Sequence, residues 1–351
     1  MRPIQVAIAD DSYVIRTVLE MIIRSQPDML VVASVENGEL ALKAVEDKQP
    51  DFLLLDIEMP VMDGITTLKH LFKLKSKTKV IVLSNLTAKH APVTIHALSL
   101  GATAYLQKPT TQGNKRSIEE ISAKLLDLIR SLYGSPHDIE EVEHAVENFR
   151  QIHSNEVFTP EIVVVGSSTG GPNALSVFLK DIGKPLPVPL VIIQHMPELF
   201  IPQLAKRLSI DSNMDVQVAE QNMVLQKGVA YIGPGEIHTE IKVSDSGKYY
   251  FDLVDGAPEV FCKPSVNSLF RTAARLFRKK TLGVILTGMG EDGLDGSRYI
   301  KKYGGRIIAQ DSKTSIVWGM PKAVVAENLA DEVLPIESIG ATVSKFLKRK
   351  D

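Results

Sequence analysis

The chain has 351 residues, 44% hydrophobic and 23% charged, with a formal net charge of −2 at pH 7 and a single cysteine, Cys262. That length suggests two domains, and the near-neutral balance gives no electrostatic reason to expect nucleic acid or an anionic membrane as partner. No apolar run approaches the roughly 18 residues of a membrane span, the opening "MRPIQVAIADD" is too short an apolar stretch for a signal peptide, and a lone thiol closes no internal disulfide, so a cytoplasmic protein without membrane insertion is expected.

In the first half, residues 4–9 (IQVAIA), 30–35 (LVVASV), 52–56 (FLLLD), 79–84 (KVIVLS) and 103–107 (TAYLQ) are short apolar runs rich in β-branched residues. Segments with helical spacing separate them, as in Val14, Val18, Leu19, Ile22 and Ile23. Five strands alternating with helices predict a parallel sheet covered on both faces, and ligands of such sheets sit at the carboxyl ends of the strands. Those ends carry Asp10-Asp11, Asp56, Ser84 and Gln107-Lys108-Pro109. Carboxylates crowded at one edge repel one another unless a hard cation lies among them. Mg²⁺, which takes oxygen ligands and keeps several waters, suits two carboxylates plus a phosphoryl group. Lys108 can then pair with the anion and Ser84 can hydrogen-bond to it. A single Asp in such a place would only cap the next helix, but "ADDS", "LLLDIEMPVMDG", "VLSN" and "LQKP" stand together at four strand ends.

With these motifs the first half resembles the receiver domain of bacterial response regulators along its whole length. The resemblance implies that Asp56 accepts a phosphoryl group, that Asp10 and Asp11 join Asp56 around Mg²⁺, and that Ser84, Tyr105 and Lys108 are the hydroxyl, aromatic and lysine switch positions. After Pro109, Ser117 and Glu120 have capping-box spacing ahead of Ile118, Ile121, Leu125, Leu128, Ile129 and Leu132, which predicts a last receiver helix punctuated by Gly134, Ser135 and Pro136. The acidic stretch that follows, with Ile139, Val142, Val146 and Phe149 at helical intervals, reads as an amphipathic linker. The expected division is 1–132, 133–158 and 159–351.

The second half opens on "IVVVGSSTGGPNAL", an apolar run emptying into small residues. Gly166 and Gly171 have P-loop spacing, but Pro172 stands where the lysine belongs; a dinucleotide fingerprint fails at Ser168. Gly166 to Gly170 does satisfy G-x-S-x-G between a strand and a helix, which puts Ser168 at the tip of a turn as a candidate nucleophile. A serine nucleophile needs a base and an orienting carboxylate. His195 follows the buried-type strand of "LVIIQHMPELF", whereas His238 begins an alternating, hairpin-like segment. Strand-end placement favours His195. The strand at 281–286 empties into "TGMGEDGLDG", offering Glu291, Asp292 and Asp295. Serine, histidine and carboxylate thus each follow a different strand.

"VGSSTGGP", "QHMP", "IGPGEIH" and "LTGMGEDG" together resemble the chemotaxis methylesterase family, CheB, with the receiver-first order matching over nearly the full chain. The resemblance implies two doubly wound parallel-sheet α/β domains, a (βα)5 receiver and a catalytic domain with a β-hairpin. It assigns Ser168 as nucleophile, His195 as general base and Asp292 as the orienting carboxylate, with Thr169 and Met289 supporting the site. It implies a phosphorylation-activated serine esterase that cleaves glutamyl γ-methyl esters, and deamidates glutamines, on chemoreceptor cytoplasmic helices. The ester chemistry then takes no cofactor, and the chemotaxis histidine kinase CheA is the expected phosphodonor. On this reading the unphosphorylated receiver blocks the catalytic edge, and deleting residues 1–158 raises activity. A non-enzymatic response regulator and a triad esterase with another signalling target are the alternatives from other classes.

Overall fold

The computed structural model describes residues 2–85, 87–109, 115–134, 158–184 and 186–348, which form two compact units divided after Gly134. The linker expected over 133–158 lies almost wholly outside the described residues.

The first unit runs β1 (Ile4–Ala9), α1 (Tyr13–Arg24), β2 (Met29–Val35), α2 (Gly38–Lys48), β3 (Phe52–Asp56), α3 (Gly64–Lys73), β4 (Lys79–Ser84), α4 (Ala91–Ser99), β5 (Ala104–Gln107) and α5 (Lys115–Tyr133). Its sheet has the order β2-β1-β3-β4-β5 and every pairing is parallel. The direction of winding reverses between β1 and β3, so Asp10 and Asp56 flank the crevice that opens there. Helix starts are set locally: Ser12, Asn37 and Asp63 each cap a helix by accepting a backbone N–H. Gly64 is required by close approach, since a Cβ there would lie 2.1 Å from the carbonyl oxygen of Asp56. One expectation is corrected: Val14 is 52% exposed, and Ile15 takes the inward position on α1. Helix α5 begins at Lys115, and the capping role expected of the Ser117 side chain lies outside what is described.

The second unit contains β6 (Ile162–Ser167), α6 (Gly171–Ile182), β7 (Leu190–Gln194), α7 (Ile201–Ser212), β8 (Asp215–Val218), β9 (Val229–Ile232), β10 (His238–Val243), β11 (Tyr249–Val254), α8 (Val266–Phe277), β12 (Thr281–Ile285), α9 (Leu294–Lys302), β13 (Arg306–Gln310), α10 (Met320–Ala326), β14 (Glu332–Leu334) and α11 (Ile336–Lys348). Seven parallel strands take the order β14-β13-β12-β6-β7-β9-β8, and β10-β11 form the antiparallel hairpin anticipated from the alternating segment. Strands β6, β7 and β12 are buried along their whole length, which is why they read as continuous apolar runs. The chain leaves β6 toward β7 on one side and later returns to β12 on the other, so the switch point of this sheet is the crevice beside β6.

Candidate functional site

At the first crevice, Asp10 is fully buried and its Oδ1 accepts the N–H of Ser12 at 2.9 Å. Arg16 donates to the carbonyl oxygens of Asp10 and Asp11 at 2.7 and 3.1 Å, which fixes the backbone beneath the exposed Asp11. Lys108 Nζ lies 2.8 Å from Asp10 Oδ2 and 2.7 Å from Asp56 Oδ2. Among the described residues those two buried oxygens have no other partner. Ligand atoms of Asp10, Asp11 and Asp56 all lie within 4.8 Å of one another. Burial pushes the Asp56 carboxyl up to about 6 even against the attraction of Lys108. Desolvation opposes the charge on Lys108, but its bonds to the two carboxylates outweigh that and raise its pKa. Asp11, Asp56, Ser84, Asn85 and Lys108 line a cavity of about 230 Å³, room for a small anion. Ser84 Oγ is 2.7 Å from the hydroxyl of Thr94 on α4. Tyr105 is half-buried on β5, and desolvation raises its phenol. Two buried anionic oxygens sharing one ammonium, with a third carboxylate beside them, are a donor set that fits a hard divalent cation.

At the second crevice, β6 ends at Ser167 and the chain turns through Ser168, Thr169 and Gly170 into α6. Gly170 takes φ +80°, and a Cβ there would lie 2.7 Å from the Ile316 side chain, so only glycine fits. Gln194, the last residue of β7, holds the turn. Its Oε1 accepts from Ser167 Oγ at 2.7 Å, and its Nε2 donates to the carbonyl oxygens of Ser168 and His195 at 2.9 and 3.1 Å. Ser167 is thereby buried and occupied, while Ser168 is half-buried, as the G-x-S-x-G reading expects. The N–H groups of Thr169 and Gly170 have no acceptor among the described residues. The Thr169 carbonyl accepts from Thr287 Oγ1 at 2.9 Å, and Met289 stands partly exposed on the loop after β12.

His195 Nε2 donates to Asp292 Oδ2 at 2.8 Å, which leaves Nδ1 as the basic nitrogen. Its contact there is Cys262 Sγ at 3.8 Å. Among the described residues, Ser168 Oγ makes no hydrogen bond to the imidazole; such bonds commonly tighten only with substrate bound. Desolvation works against the imidazolium, but the bond to Asp292, with the Cys262 sulfur, outweighs it and raises His195 to about 9. Asp292 is buried at the amino end of α8. Its Oδ1 accepts from Ser265 Oγ at 2.7 Å, Gly293 N at 3.0 Å and Asn267 N at 3.3 Å, and Oδ2 also accepts from Val266 N at 2.7 Å. Helix-start donors of this kind hold a carboxylate ionised. Burial alone would raise the Asp292 pKa, but its bonds to His195, Ser265 and Val266 lower it.

Among the described residues, none of the competing candidates bonds to His195 or Ser168. Glu291 is exposed, and Asp295 pairs with Arg271 and Arg298. His238 is buried with Nδ1 accepting from Ser265 N at 3.1 Å and Nε2 donating to the Ala257 carbonyl at 2.9 Å, so both its nitrogens are satisfied. Ser265, Gln194 and Cys262 were not anticipated. Only Ser265 carries a readable signal, as a serine directly before the apolar helix "VNSLF".

Fold and geometry together define the class: an α/β domain with an acidic, lysine-bridged pocket at its switch point, followed by a second parallel-sheet α/β domain that gathers serine, histidine and carboxylate at its own. Family models agree, with "CheB methylesterase" matching residues 163–343 and "Response regulator receiver domain" matching residues 6–118. A protein-glutamate methylesterase/protein-glutamine glutaminase of Nocardioides sp. is 39% identical over all of this chain and 97% of its own length. One of the same name from Thermotoga maritima is also 39% identical, over 96% of this chain and 97% of that protein. The crystal structure of the Thermotoga maritima CheB methylesterase catalytic domain matches 53% of this chain and 98% of that one at 41% identity, with a TM-score of 0.52. The chain belongs to the CheB methylesterase family.

Proposed function

We propose that this protein is a phosphorylation-activated protein-glutamate methylesterase and glutamine deamidase of chemotaxis adaptation, with receiver at 1–132, linker at 133–158 and catalytic domain at 159–351. Its activity rests on Ser168, His195 and Asp292. The observation that carries the assignment is the orientation of His195: Asp292 occupies Nε2 and leaves Nδ1 basic at the edge where the Ser168 turn sits.

His195 Nδ1 takes the proton of Ser168 Oγ, which attacks the carbonyl carbon of the glutamyl γ-ester. The N–H groups of Thr169 and Gly170 supply donors for the tetrahedral oxyanion. The imidazolium returns its proton to the leaving methoxide, methanol departs, and a water activated by the same nitrogen cleaves the acyl-enzyme to glutamate. An amide loses ammonia by the same sequence. Asp292 keeps the imidazole in one tautomer throughout, and Thr169 and Met289 line the edge.

In the receiver, Asp56 accepts the phosphoryl group. Asp10, Asp11 and Asp56 would hold Mg²⁺, which when bound would neutralise charge on the transferring group. Lys108 pairs with the phosphoryl oxygens, and Ser84 and Tyr105 report its arrival. The phosphodonor is a histidine kinase, CheA, and the substrates are methylated cytoplasmic helices of chemoreceptors. Among the described residues no helix is long and apolar enough to cross a membrane; cytoplasmic residence is part of the proposal. Labelling with a fluorophosphonate, followed by peptide mass mapping, tests the nucleophile. The adduct belongs on Ser168 and disappears in His195→Ala; an adduct on Ser167, or labelling independent of His195, contradicts the assignment.

A further inference from the structure

Between β11 and α8 the chain makes a tight turn whose backbone runs against its own residue types. Glu259 and Cys262 exchange both backbone hydrogen bonds, at 3.0 and 2.7 Å, and enclose Val260 and Phe261 at φ +48° and +62°. A two-residue turn with both central residues left-handed favours Asn-Gly. A β-branched residue and an aromatic are strained there. The strain hides nothing: Phe261 is 101% exposed and Val260 is exposed as well.

The turn is fastened on both sides. Arg271 of α8 grips the Glu259 carboxylate through both terminal nitrogens and reaches Asp295 at 3.4 Å, and Lys263 pairs with Asp255. It is also continuous with the chemistry, because Cys262 touches His195 Nδ1 and Ser265, three residues on, donates to Asp292. The nucleophile's flank has exposed apolar side chains of its own. Ile316 packs on Gly170, and Met289 follows Gly288, which abuts the Ser168 Cβ. An exposed aromatic on a fastened turn beside a catalytic edge is what an anchor for an incoming chain requires, with the ordering cost of the turn's backbone met before binding.

We propose that the Val260–Phe261 turn seats the polypeptide substrate, with Phe261 packing against apolar side chains next to the esterified glutamate. This rests on the methylesterase reading and assigns the residue that makes the enzyme select a protein ester over a small one. A glutamyl side chain is too short to supply affinity, so discrimination has to come from the chain around it.

The test compares wild type, Phe261→Ser, Phe261→Leu and the double variant Val260→Asn/Phe261→Gly on two substrates, a methyl-esterified receptor cytoplasmic fragment and p-nitrophenyl acetate. The double variant gives the turn its preferred residues and should melt higher by about 2 °C or more. The ratio of kcat/KM for the polypeptide to that for the small ester should fall at least tenfold in Phe261→Ser and in the double variant. The loss should lie in KM, and Phe261→Leu should recover most of it. A ratio within twofold of wild type in the folded double variant overturns the inference and leaves the esterase reading standing. A wild type that cleaves the small ester but leaves the polypeptide ester intact overturns both.

Discussion

Replacing Asp292 with Asn exchanges one carboxylate oxygen for an amide nitrogen in a site built only of donors. With the nitrogen at the Oδ1 position it would face the N–H groups of Asn267 and Gly293. At the Oδ2 position it faces one, Val266 N–H, together with His195 Nε2. The second placement is the less costly and still leaves a buried donor unmatched and a charge-assisted bond lost, about 2–4 kcal/mol. It also makes the amide the donor to Nε2, which moves the imidazole proton to Nδ1 and removes the base. Loss of the correct tautomer is worth about 10⁴ in kcat in serine hydrolases. Initial rates on methylated receptor fragment, beside urea unfolding of the same preparation, measure both effects. A folded Asn variant within tenfold of wild-type kcat would refute the assigned orientation of His195, and undiminished stability would refute the donor count around Asp292.

Three further outcomes follow from the same contacts. Ser265→Ala removes one donor to Asp292 and the cap of α8, costing about 1–2 kcal/mol; because the tautomer survives, kcat must fall far less than in Asp292→Asn, and an equal loss would count against the mechanism. Cys262→Ser takes away one of the groups that raise His195 to about 9, so the rising limb of kcat/KM against pH, expected at that value in wild type, should move to lower pH; an unmoved limb contradicts the contact. In the receiver, Asp56 is raised from 3.8 to about 6, so the folded state holds an extra proton between those values and stability falls as pH rises through that window. Mg²⁺ offsets the cost of the ionised form, so it should raise the receiver's Tm at pH 7.5, with the increment fading below pH 6 and shrinking in Asp11→Asn. An increment as large at pH 5 would place the ion elsewhere.

The strands at 4–9, 52–56 and 79–84 coincide with β1, β3 and β4 as read, because buried parallel strands are written as apolar runs with little else in them. The strand-end placement of the acids, the serine and the histidine was legible for a related reason, since parallel sheets gather strand-end residues at one edge. What the sequence left dark depends on packing between distant segments. Ser265 meets Asp292 across 27 residues, and no local pattern reports which imidazole nitrogen the carboxylate takes. Glu291, Asp292 and Asp295 are equivalent by spacing and are separated by which one reaches the amino end of α8. On α1, heptad-like spacing drew in Val14, but the helix is rotated so that Ile15 faces the sheet. The Val260–Phe261 turn contradicts ordinary turn chemistry and leaves no turn signal at all.

The most direct test of the whole account is methanol release from methylated receptor membranes by the full chain, with and without a small phosphodonor and Mg²⁺, for wild type, Ser168→Ala and Asp56→Asn. Release should be abolished in Ser168→Ala and should rise with phosphodonor in wild type but not in Asp56→Asn. Release that persists in Ser168→Ala, or that rises equally in Asp56→Asn, would contradict it.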